Sequence, residues 1–407
     1  MLYQFSFKNF KSYKNETIFD MRAENIGEFE DALLIDKNQE RLLPVSVIYG
    51  PNAGGKSGLI EALRGFITLV IEPRRILMND DKKKYHRIFA SYNDIKPYMF
   101  DDESKNEPTE FQIYFSTESN EYRYNLSIQN NIIINESLYK KGFKAKKPAK
   151  IFEREKENIS LGESLKKSSA SKNVNDNMPY LTFISITNNN ETIKDVIEWF
   201  ENITAIDYAK NVFERRVVIY DDIEKDLFLA LIEAMDIDIC DYRIEEKDED
   251  KKRFKLFTKH KKNNKEYEIE FIYESEGTRK LFSLVPELIE AMRNGGLVII
   301  DELDAKLHPK LLKYIIMLFK TNVLNRKNAQ LIFTSQDLTT MNNQVFRRDE
   351  IWFACKNDDK ESEIYSLYEI RDENGEHIRA SAPYNKQYLS GKYGADPYLA
   401  KMLSWEE

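Results

Sequence analysis

The sequence predicts an α/β fold whose N-terminal part is rich in β-strands. Two short apolar runs, residues 45–49 and 297–300, have the continuous hydrophobicity of strands that are buried on both faces. An amphipathic helical pattern follows the first run over residues 56–72, and another precedes the second run over residues 281–292. Buried strands that lie next to amphipathic helices along the chain are typical of the α/β class.

Length and composition restrict the class of protein. The 407 residues suffice for one large or two ordinary domains, and 42% hydrophobic with 32% charged residues predict a soluble globular chain. No apolar run reaches the ~18 residues of a spanning helix, and the N-terminus lacks a signal-peptide pattern. Two cysteines, Cys240 and Cys355, are too few for a disulfide framework. We therefore expect a cytoplasmic protein with no membrane partner.

The N-terminal third predicts mainly strands. Residues 2–21 alternate in two short runs, which predict a hairpin leading into the strand at 45–49. Three later alternating runs predict consecutive antiparallel strands, and a polar, acidic stretch before them predicts a loop. These segments are the strands 111–115, 122–128 and 132–136 and the loop 79–109.

The middle of the chain differs in composition. A basic run at 140–150 is followed by a polar stretch at 156–178, for which we expect mobility. Apolar spacing then predicts helices over 191–204 and 221–235. Two further alternating runs predict a hairpin with a basic tip, formed by residues 253–258 and 267–273.

A glycine-bearing loop joins the strand at 45–49 to the helix that opens at Lys56, and it fits the pattern G-x-x-x-x-G-K-[ST]. In such a loop, backbone N–H groups and the helix N-terminus face phosphate oxygens, the lysine reaches the β- and γ-phosphates, and the hydroxyl of Ser57 ligates Mg²⁺. A chance match on a surface loop does not require this strand and helix around it. We therefore predict a nucleoside triphosphate site formed by Gly50, Pro51, Asn52, Ala53, Gly54, Gly55, Lys56 and Ser57.

The second buried strand ends in two carboxylates, Asp301 and Glu302. An aspartate at this position holds Mg²⁺ directly or through water, and a glutamate polarises the attacking water. The alternative is an acidic turn after an ordinary strand, which the presence of Lys56 and Ser57 disfavours. We predict that Asp301 and Ser57 are the metal ligands and that Glu302 is catalytic.

A third motif opens the helix that precedes this strand. Ser275 is a natural N-cap, and Gly277 in the first turn allows an anion to approach the backbone closely. A helix that is merely capped has no need of that glycine.

The order of these motifs resembles the ATP-binding-cassette (ABC) class of ATPases. Ser275 and Gly277 stand where that class has its signature motif, Asp304 stands in a segment similar to its D-loop, and Gln336 stands at its switch position. The resemblance implies an ABC-type P-loop ATPase head with ATP and Mg²⁺ as cofactors, and it makes Gln336 a second catalytic residue. The head would comprise residues 1–140 and 241–407, and a helical, flexible insertion lobe would comprise residues 141–240.

In detail the chain resembles the non-transporter branch of the ABC class, AAA-family ATPases that include RecF, the SMC heads, the OLD nucleases and ATPases of phage-defence operons. The supporting segments are Asn-Phe-Lys-Ser at 9–12 and the run from Asp301 through His308-Pro309. The tail at 388–395 is similar to the RloA/AbiL-type defence ATPases. OLD nucleases carry an additional C-terminal nuclease domain, and the 71 residues after Gln336 (407 − 336) are short for one.

Two positions depart from the ABC pattern. The switch position usually carries histidine, and Gln336 offers a neutral hydrogen bond in place of a charge-assisted one, so we expect slow hydrolysis. The glutamine that normally links the lobes has no clear equivalent; Gln112 and Gln129 qualify by position alone, and an ordinary strand or turn role suits each of them better.

The resemblance also implies partners. Two ABC heads enclose two ATP molecules, each bound by the loop of one subunit and the signature of the other. One loop and one signature per chain imply a homodimer or a higher oligomer. We expect ATP-driven dimerisation to switch or scaffold a separate effector, a nuclease or toxin, in anti-phage defence. The alternatives are a RecF- or SMC-like DNA-repair ATPase and an interaction protein whose ATP site is regulatory.

Other candidate residues have ordinary explanations. His308 before Pro309 is a helix-start element, and His86, His260 and His377 lack metal-ligand spacing. The basic segments at 140–150 and 251–262 either contact nucleic-acid phosphates or are solvated loops. The net charge of −8 disfavours a uniformly basic surface but allows a local basic groove.

Overall fold

A computed structural model describes residues 1–78, 95–208, 225–246 and 254–395. The described residues form a seven-stranded antiparallel sheet, a six-stranded mainly parallel sheet, and smaller sheets of three and two strands. The strands are β1 (Leu2–Lys8), β2 (Thr17–Asp20), β3 (Leu34–Ile35), β4 (Arg41–Leu42), β5 (Val45–Tyr49), β6 (Thr109–Ser116), β7 (Asn120–Gln129), β8 (Ile132–Gly142), β9 (Ala149–Glu155), β10 (Asn158–Leu161), β11 (Ile203–Asp207), β12 (Asp241–Glu246), β13 (Phe254–Lys262), β14 (Lys265–Glu270), β15 (Leu297–Asp301), β16 (Gln330–Thr334), β17 (Ile351–Lys356) and β18 (Ser362–Ser366). The helices are α1 (Lys56–Met78), α2 (Glu163–Lys167), α3 (Tyr180–Thr187), α4 (Glu191–Glu201), α5 (Lys225–Ala234), α6 (Glu276–Asn294), α7 (Pro309–Lys320) and α8 (Tyr384–Leu389).

The six-stranded sheet has the order β11-β15-β16-β5-β17-β18, and every neighbouring pair is parallel except β17 and β18. Its strands are buried on both faces, which explains their continuous apolar sequences. Val45 and Val47 of β5 join the core that includes α5, α6 and α7, whereas Ile48 joins the core that includes α1. Because the strands are parallel, the residues that follow β5, β15 and β16 meet at one edge of the sheet.

Helix α1 packs between the two large sheets. Phe66 lies with its ring centroid 5.3 Å from that of Phe111 on β6 and 6.0 Å from that of Phe5 on β1. Ile299 of β15 and Ile332 of β16 belong to the same hydrophobic core. The antiparallel sheet, in the order β10-β9-β8-β7-β6-β1-β2, therefore covers the helix that begins at the phosphate-binding loop.

A buried glutamine joins the two large sheets at the start of β16. The side-chain Oε1 of Gln330 accepts a hydrogen bond from the backbone N–H of Leu2 at 2.6 Å, and Nε2 donates to the carbonyl oxygens of Leu2 and Leu43, each at 3.1 Å. Gln330 is 1% exposed. The amide thus satisfies three backbone groups that sheet pairing does not, and it fixes β1 against the entrance to β5.

A buried ion-pair network attaches residues 24–26 to the segment that leads into β17 of the six-stranded sheet. The Arg347 guanidinium bonds the Asp349 carboxylate at 2.8 Å and donates to backbone oxygens at Glu24 and Ile26, at 3.0 and 3.3 Å. Lys320 of α7 pairs with Glu350 at 2.6 Å, and both side chains are fully buried. Removing one member of such a pair would leave an uncompensated buried charge.

Most of the strands and helices predicted from the sequence are confirmed. Strands β1 and β2 form the predicted hairpin, β6 to β8 are the three predicted antiparallel strands, and β13 and β14 form the later hairpin. Residues 271–273, expected to continue that hairpin, form a 3-10 turn instead. The predicted helix at 191–204 ends at Glu201, because Ile203–Asp207 pairs with β15. Residues 95–109 of the predicted loop hold one short 3-10 turn, and residues 79–94 lie outside the described part.

The expectation of a mobile stretch at 156–178 is wrong for its first part. Strand β10 pairs with β9, and Ile159, Leu161 and Leu165 are buried in the core. The buried Glu136 carboxylate then accepts the backbone N–H groups of Tyr180 and Leu181, which begin α3. Within 141–240 the described residues therefore contain strands β9, β10 and β11 as well as helices α2 to α5, and a boundary at 140 and 240 remains a proposal.

We predict that Gln330→Leu lowers the free energy of unfolding by about 3 kcal/mol, because three buried backbone groups lose their partner. Equilibrium urea unfolding measures this change. The matched control is Gln344→Leu, an exposed glutamine, for which we expect a change within about 0.5 kcal/mol. Equal stabilities of Gln330→Leu and wild type would contradict the linking role.

Candidate functional site

The phosphate-binding loop packs closely against strand β17. Gly50 has φ +146°, and a Cβ atom there would overlap the carbonyl oxygen of Ala354; a Cβ at Gly54 would overlap the same atom. Both positions therefore require glycine. Ala53 has a left-handed φ of 62°, and it is exposed together with Asn52 and Ser57. The loop presents its middle to solvent while its base is held by β17.

Lys56 lies in the mouth of this loop with its side chain turned back over it. Its Nζ donates to the carbonyl oxygens of Gly50 at 2.7 Å and Pro51 at 3.1 Å, and an ammonium has a third N–H for an anion. Burial lowers the pKa of Lys56, and the nearby carboxylates of Asp301, Glu302 and Asp304 oppose that shift. In the structure, Lys56 of the predicted loop therefore interacts electrostatically with the predicted acidic pair, Asp301 and Glu302.

Residues near the N-terminus hydrogen-bond to the loop and to strand β18. The Tyr13 hydroxyl donates to the Gly55 carbonyl at 2.9 Å, and the backbone N–H of Ser362 on β18 donates to the Ser12 carbonyl at 2.8 Å. The buried Asn9 amide donates to the Ser104 carbonyl at 2.8 Å and accepts from the Tyr98 N–H at 2.8 Å. The Asn-Phe-Lys-Ser segment together with the following Tyr13 therefore joins the loop, β18 and residues 98–104.

A single hydroxyl bonds the Asp301 carboxylate and the backbone of Glu302 at the end of β15. Thr334 Oγ1 donates to Asp301 Oδ1 at 2.6 Å and accepts the backbone N–H of Glu302 at 2.7 Å. Asp301 is 9% exposed, and Glu302 has a left-handed φ of 55°. That conformation costs a non-glycine residue roughly 1–3 kcal/mol, and such strain concentrates at functional sites. Thr334 holds Glu302 in it by binding the Glu302 N–H.

Asp304 contacts Gln336 at the edge of the six-stranded sheet where β15 and β16 end. Asp304 Oδ2 accepts the backbone N–H of Gln336 at 2.9 Å, and burial raises the pKa of Asp304. Because the contact uses the Gln336 backbone, it leaves the exposed Gln336 side chain to face outward. The D-loop-like and switch-like segments are consequently one connected unit.

The signature-like helix start lies beside the segment that follows Glu302. Ser275 Oγ accepts the backbone N–H of Thr278 at 3.1 Å, which confirms Ser275 as the N-cap of α6. Glu276 pairs with Lys306 at 2.7 Å, and the Lys306 ammonium lowers the pKa of Glu276. A Cβ at Gly277 would lie 3.2 Å from the Lys306 carbonyl. Ser275 therefore bonds within its own helix start, Glu276 bonds Lys306, and Lys56 bonds the loop.

The glutamines and histidines considered for this site have structural positions. Gln112 lies within β6, and Gln129 ends β7 and donates to the Asn106 carbonyl. His308 Nδ1 accepts the Lys310 N–H and caps α7, His260 bonds Glu274, and His377 bonds the Tyr368 carbonyl. His86 lies outside the described residues.

The described residues fit a Mg²⁺-bound polyphosphate better than a metal held by protein alone. Among residues 1–78, 95–208, 225–246 and 254–395, no group of three or more His, Cys, Asp and Glu side chains could hold a metal ion. Mg²⁺ typically uses one or two carboxylates plus substrate phosphates and water. A hydroxyl at Ser57 and the Asp301 carboxylate match that requirement.

Several supporting residues were not predicted from sequence. Thr334, Tyr13 and Ala354 each determine the geometry of the site through one atom. Thr334 lies two residues before Gln336, the residue at the switch position. The sequence alone does not show that Thr334 lies directly beside the end of β15. Tyr13 and Ala354 carry no sequence signal, because their contacts join residues 42 or more positions apart.

Helix length and polarity bear on membrane insertion. None of the helices in the described part of the chain combines the length and apolar character of a membrane span.

Two solved structures are similar to the chain over 90% of its length. The SMC head domain from Thermotoga maritima is 14% identical, is covered over 98% of its own chain and has a TM-score of 0.46. An Smc head domain with an extended coiled coil from Pyrococcus furiosus, bound to the C-terminal domain of ScpA, is 13% identical, is covered over 96% and has a TM-score of 0.39. Identities this low carry no information on activity.

The sequence itself matches one protein-family model. The model is described as "AAA domain, putative AbiEii toxin, Type IV TA system", and it matches residues 45–342, more than half of the 407 residues. This span contains the loop with Lys56, the carboxylates Asp301 and Glu302, and Gln336. A search of curated proteins found no match. The strand, loop and helix around Lys56 confirm the predicted P-loop α/β fold, and the chain belongs to this family of AAA-domain proteins.

Proposed function

We propose that the chain binds and hydrolyses ATP and that ATP joins two copies of it. The observation that carries this proposal is the pair of hydrogen bonds by which Thr334 fixes Asp301 and the backbone of Glu302. They place a buried carboxylate and a strained glutamate in the electrostatic field of Lys56.

Each residue then has a role that its position supports. The backbone of the loop and Lys56 hold the phosphates, because burial and hydrogen bonds to the Gly50 and Pro51 carbonyls give Lys56 a fixed place. Ser57 and Asp301 would hold Mg²⁺, which supplies charge neutralisation at the phosphates when bound. Glu302 accepts the proton of the attacking water, and its rigid backbone limits the reorganisation that this step needs.

Residues of the α6 start would complete the site of a second copy. Ser275 is exposed at the N-terminus of a 19-residue helix, where the dipole and terminal N–H groups favour an anion. Ile272 and Tyr273, just before it, are 63% and 77% exposed. Large apolar side chains at that exposure favour contact with another protein surface. The Glu276–Lys306 pair connects this surface to Asp304 and hence to Gln336.

The residue at position 336 supports slow ATP hydrolysis. Gln336 offers a neutral amide where an imidazolium could give a charge-assisted bond, so transition-state stabilisation at the γ-phosphate is weaker. A slow ATPase stays closed for long periods after ATP binding. It is therefore suited to act as a switch rather than a motor.

We place the switch in anti-phage defence, where the dimer would control a separate nuclease or toxin in the cytoplasm. The family description, which refers to a toxin-antitoxin system, and the tail that is similar to RloA/AbiL-type ATPases support this placement. A RecF- or SMC-like repair role would need a DNA-binding surface. Lys255 and Lys259, in the basic segment considered for that role, pair with Glu270 and Asp241 at 2.9 and 2.8 Å, which disfavours it.

We predict that Glu302→Gln lowers the rate of ATP hydrolysis at least about 100-fold, because the general base is lost. ATP binding persists, so the variant accumulates as an ATP-bound dimer. Phosphate release and light scattering after size-exclusion chromatography measure the two effects.

Two variants serve as controls for Glu302→Gln. Lys56→Ala should lose nucleotide binding and stay monomeric with ATP, whereas Glu373→Gln, at an exposed turn, should behave as wild type. Hydrolysis by Glu302→Gln at the wild-type rate would show that the catalytic assignment is wrong.

Gln336→His should raise the hydrolysis rate about fivefold at pH 6, since a charge-assisted bond adds about 1 kcal/mol over a neutral one. The gain should diminish above pH 8, where imidazole is neutral. The control is Gln336→Asn, which cannot gain charge and should show no such pH dependence. A rate for Gln336→His equal to that of wild type across this range would refute the switch assignment.

A further inference from the structure

A groove of about 940 Å³ lies on the seven-stranded sheet, and its lining runs from β1 to β10. It lies mainly on the face opposite α1, because its polar lining residues Ser6 and Gln112 alternate along β1 and β6 with Phe5 and Phe111, which pack on Phe66. The nucleotide-binding loop, by contrast, follows a strand of the other large sheet. The groove is thus a separate surface.

Strand register places polar side chains in rows across this groove. One row is Ser6, Gln112, Asn125, Ser137 and Glu153, on five consecutive strands from β1 to β9. The adjacent row on the same face is Lys8, Glu110, Ser127, Asn135 and Glu155. Because each row crosses the strands, polar side chains line the groove from β1 to β9.

The groove carries an excess of negative charge. Exposed carboxylates of Glu16, Glu110, Glu155 and Glu157 line it. Its most buried cation, Arg154, donates to the backbone oxygens of Lys156 and Met178, at 2.8 and 2.7 Å, and so is turned to the protein itself. Such a surface attracts a cationic partner and repels phosphates.

Two hydrogen-bond acceptors on the floor lack a donor. Ser127 is 7% exposed and its buried Oγ has no hydrogen-bond partner in the described residues, and the same is true of the buried Oδ1 of Asn125. The Asn125 amide Nδ2 donates to Ser137 Oγ at 2.8 Å, so its Oδ1 points to a different neighbour. Buried polar atoms are nearly always paired, so these two indicate a ligand that supplies N–H donors.

We propose that this groove binds an extended, arginine-bearing segment of a partner protein. A guanidinium combines positive charge with five N–H donors in a planar fork, which suits exposed carboxylates above unpaired acceptors. Six strands, β10 to β1, span about 24 Å at ~4.8 Å per strand, which an extended segment of about seven residues covers. This inference does not depend on the proposed ATPase activity.

The test uses the full chain and a fluorescein-labelled ten-residue peptide, (Arg-Thr)5, with fluorescence anisotropy as the readout. Wild type should bind it saturably and more tightly than (Lys-Thr)5. Glu110→Gln combined with Glu155→Gln should weaken binding about tenfold, and Ser127→Ala should weaken it about threefold.

Three comparisons make the result specific. Asp359→Asn combined with Glu373→Gln removes the same charge at exposed sites elsewhere and should change binding less than about twofold. Unfolding temperatures of all variants should match wild type. Lys56→Ala should bind the peptide as wild type does, which separates this site from the nucleotide site.

Several outcomes would overturn the proposal. These are absence of binding, equal losses in the groove and control pairs, and saturable binding of a labelled decathymidylate, without peptide, that Ser127→Ala weakens, which would assign the surface to nucleic acid.

Discussion

The Thr334 hydroxyl donates to Asp301 and accepts the Glu302 N–H, and this one side chain fixes the acidic half of the site. At the opposite end of the same five-residue strand, Gln330 joins β1 to the entrance of β5. Strand β16 thereby aligns the antiparallel sheet, the strand before the loop and the strand before the carboxylates. The relative positions of Lys56 and Glu302 depend on both ends being held.

In the proposed dimer, the residues that this alignment brings together are only part of a catalytic centre. Lys56, Asp301 and Glu302 share one electrostatic environment, and Asp304 extends it to the backbone of Gln336. The Ser275 helix start instead bonds within itself and, through Glu276, to Lys306. We propose that a second copy uses this exposed helix N-terminus, in which case nucleotide binding and association would be one process.

Sequence patterns predicted the parts of the fold that depend on local periodicity. The buried strands around residues 45–49 and 297–301 followed from apolar runs, and the glycine loop followed from the pattern G-x-x-x-x-G-K-[ST]. Strands β17 and β18 and the anchoring of β10 were missed, because their stability comes from pairing with strands distant in sequence. Single-atom contacts such as that of Thr334 arise only after the sheet order is known, so composition and spacing could not reveal them.

The central claim is that each nucleotide is held by the loop of one copy and the Ser275 start of another, and mixing two inactive variants tests it most directly. Lys56→Ala and Ser275→Arg should each fail to hydrolyse ATP. A 1:1 mixture should recover ATP hydrolysis to at most about half of the wild-type rate, because each mixed dimer contains one intact site of two. A mixture that stays inactive, or a Ser275→Arg variant that is active alone, would contradict the composite site.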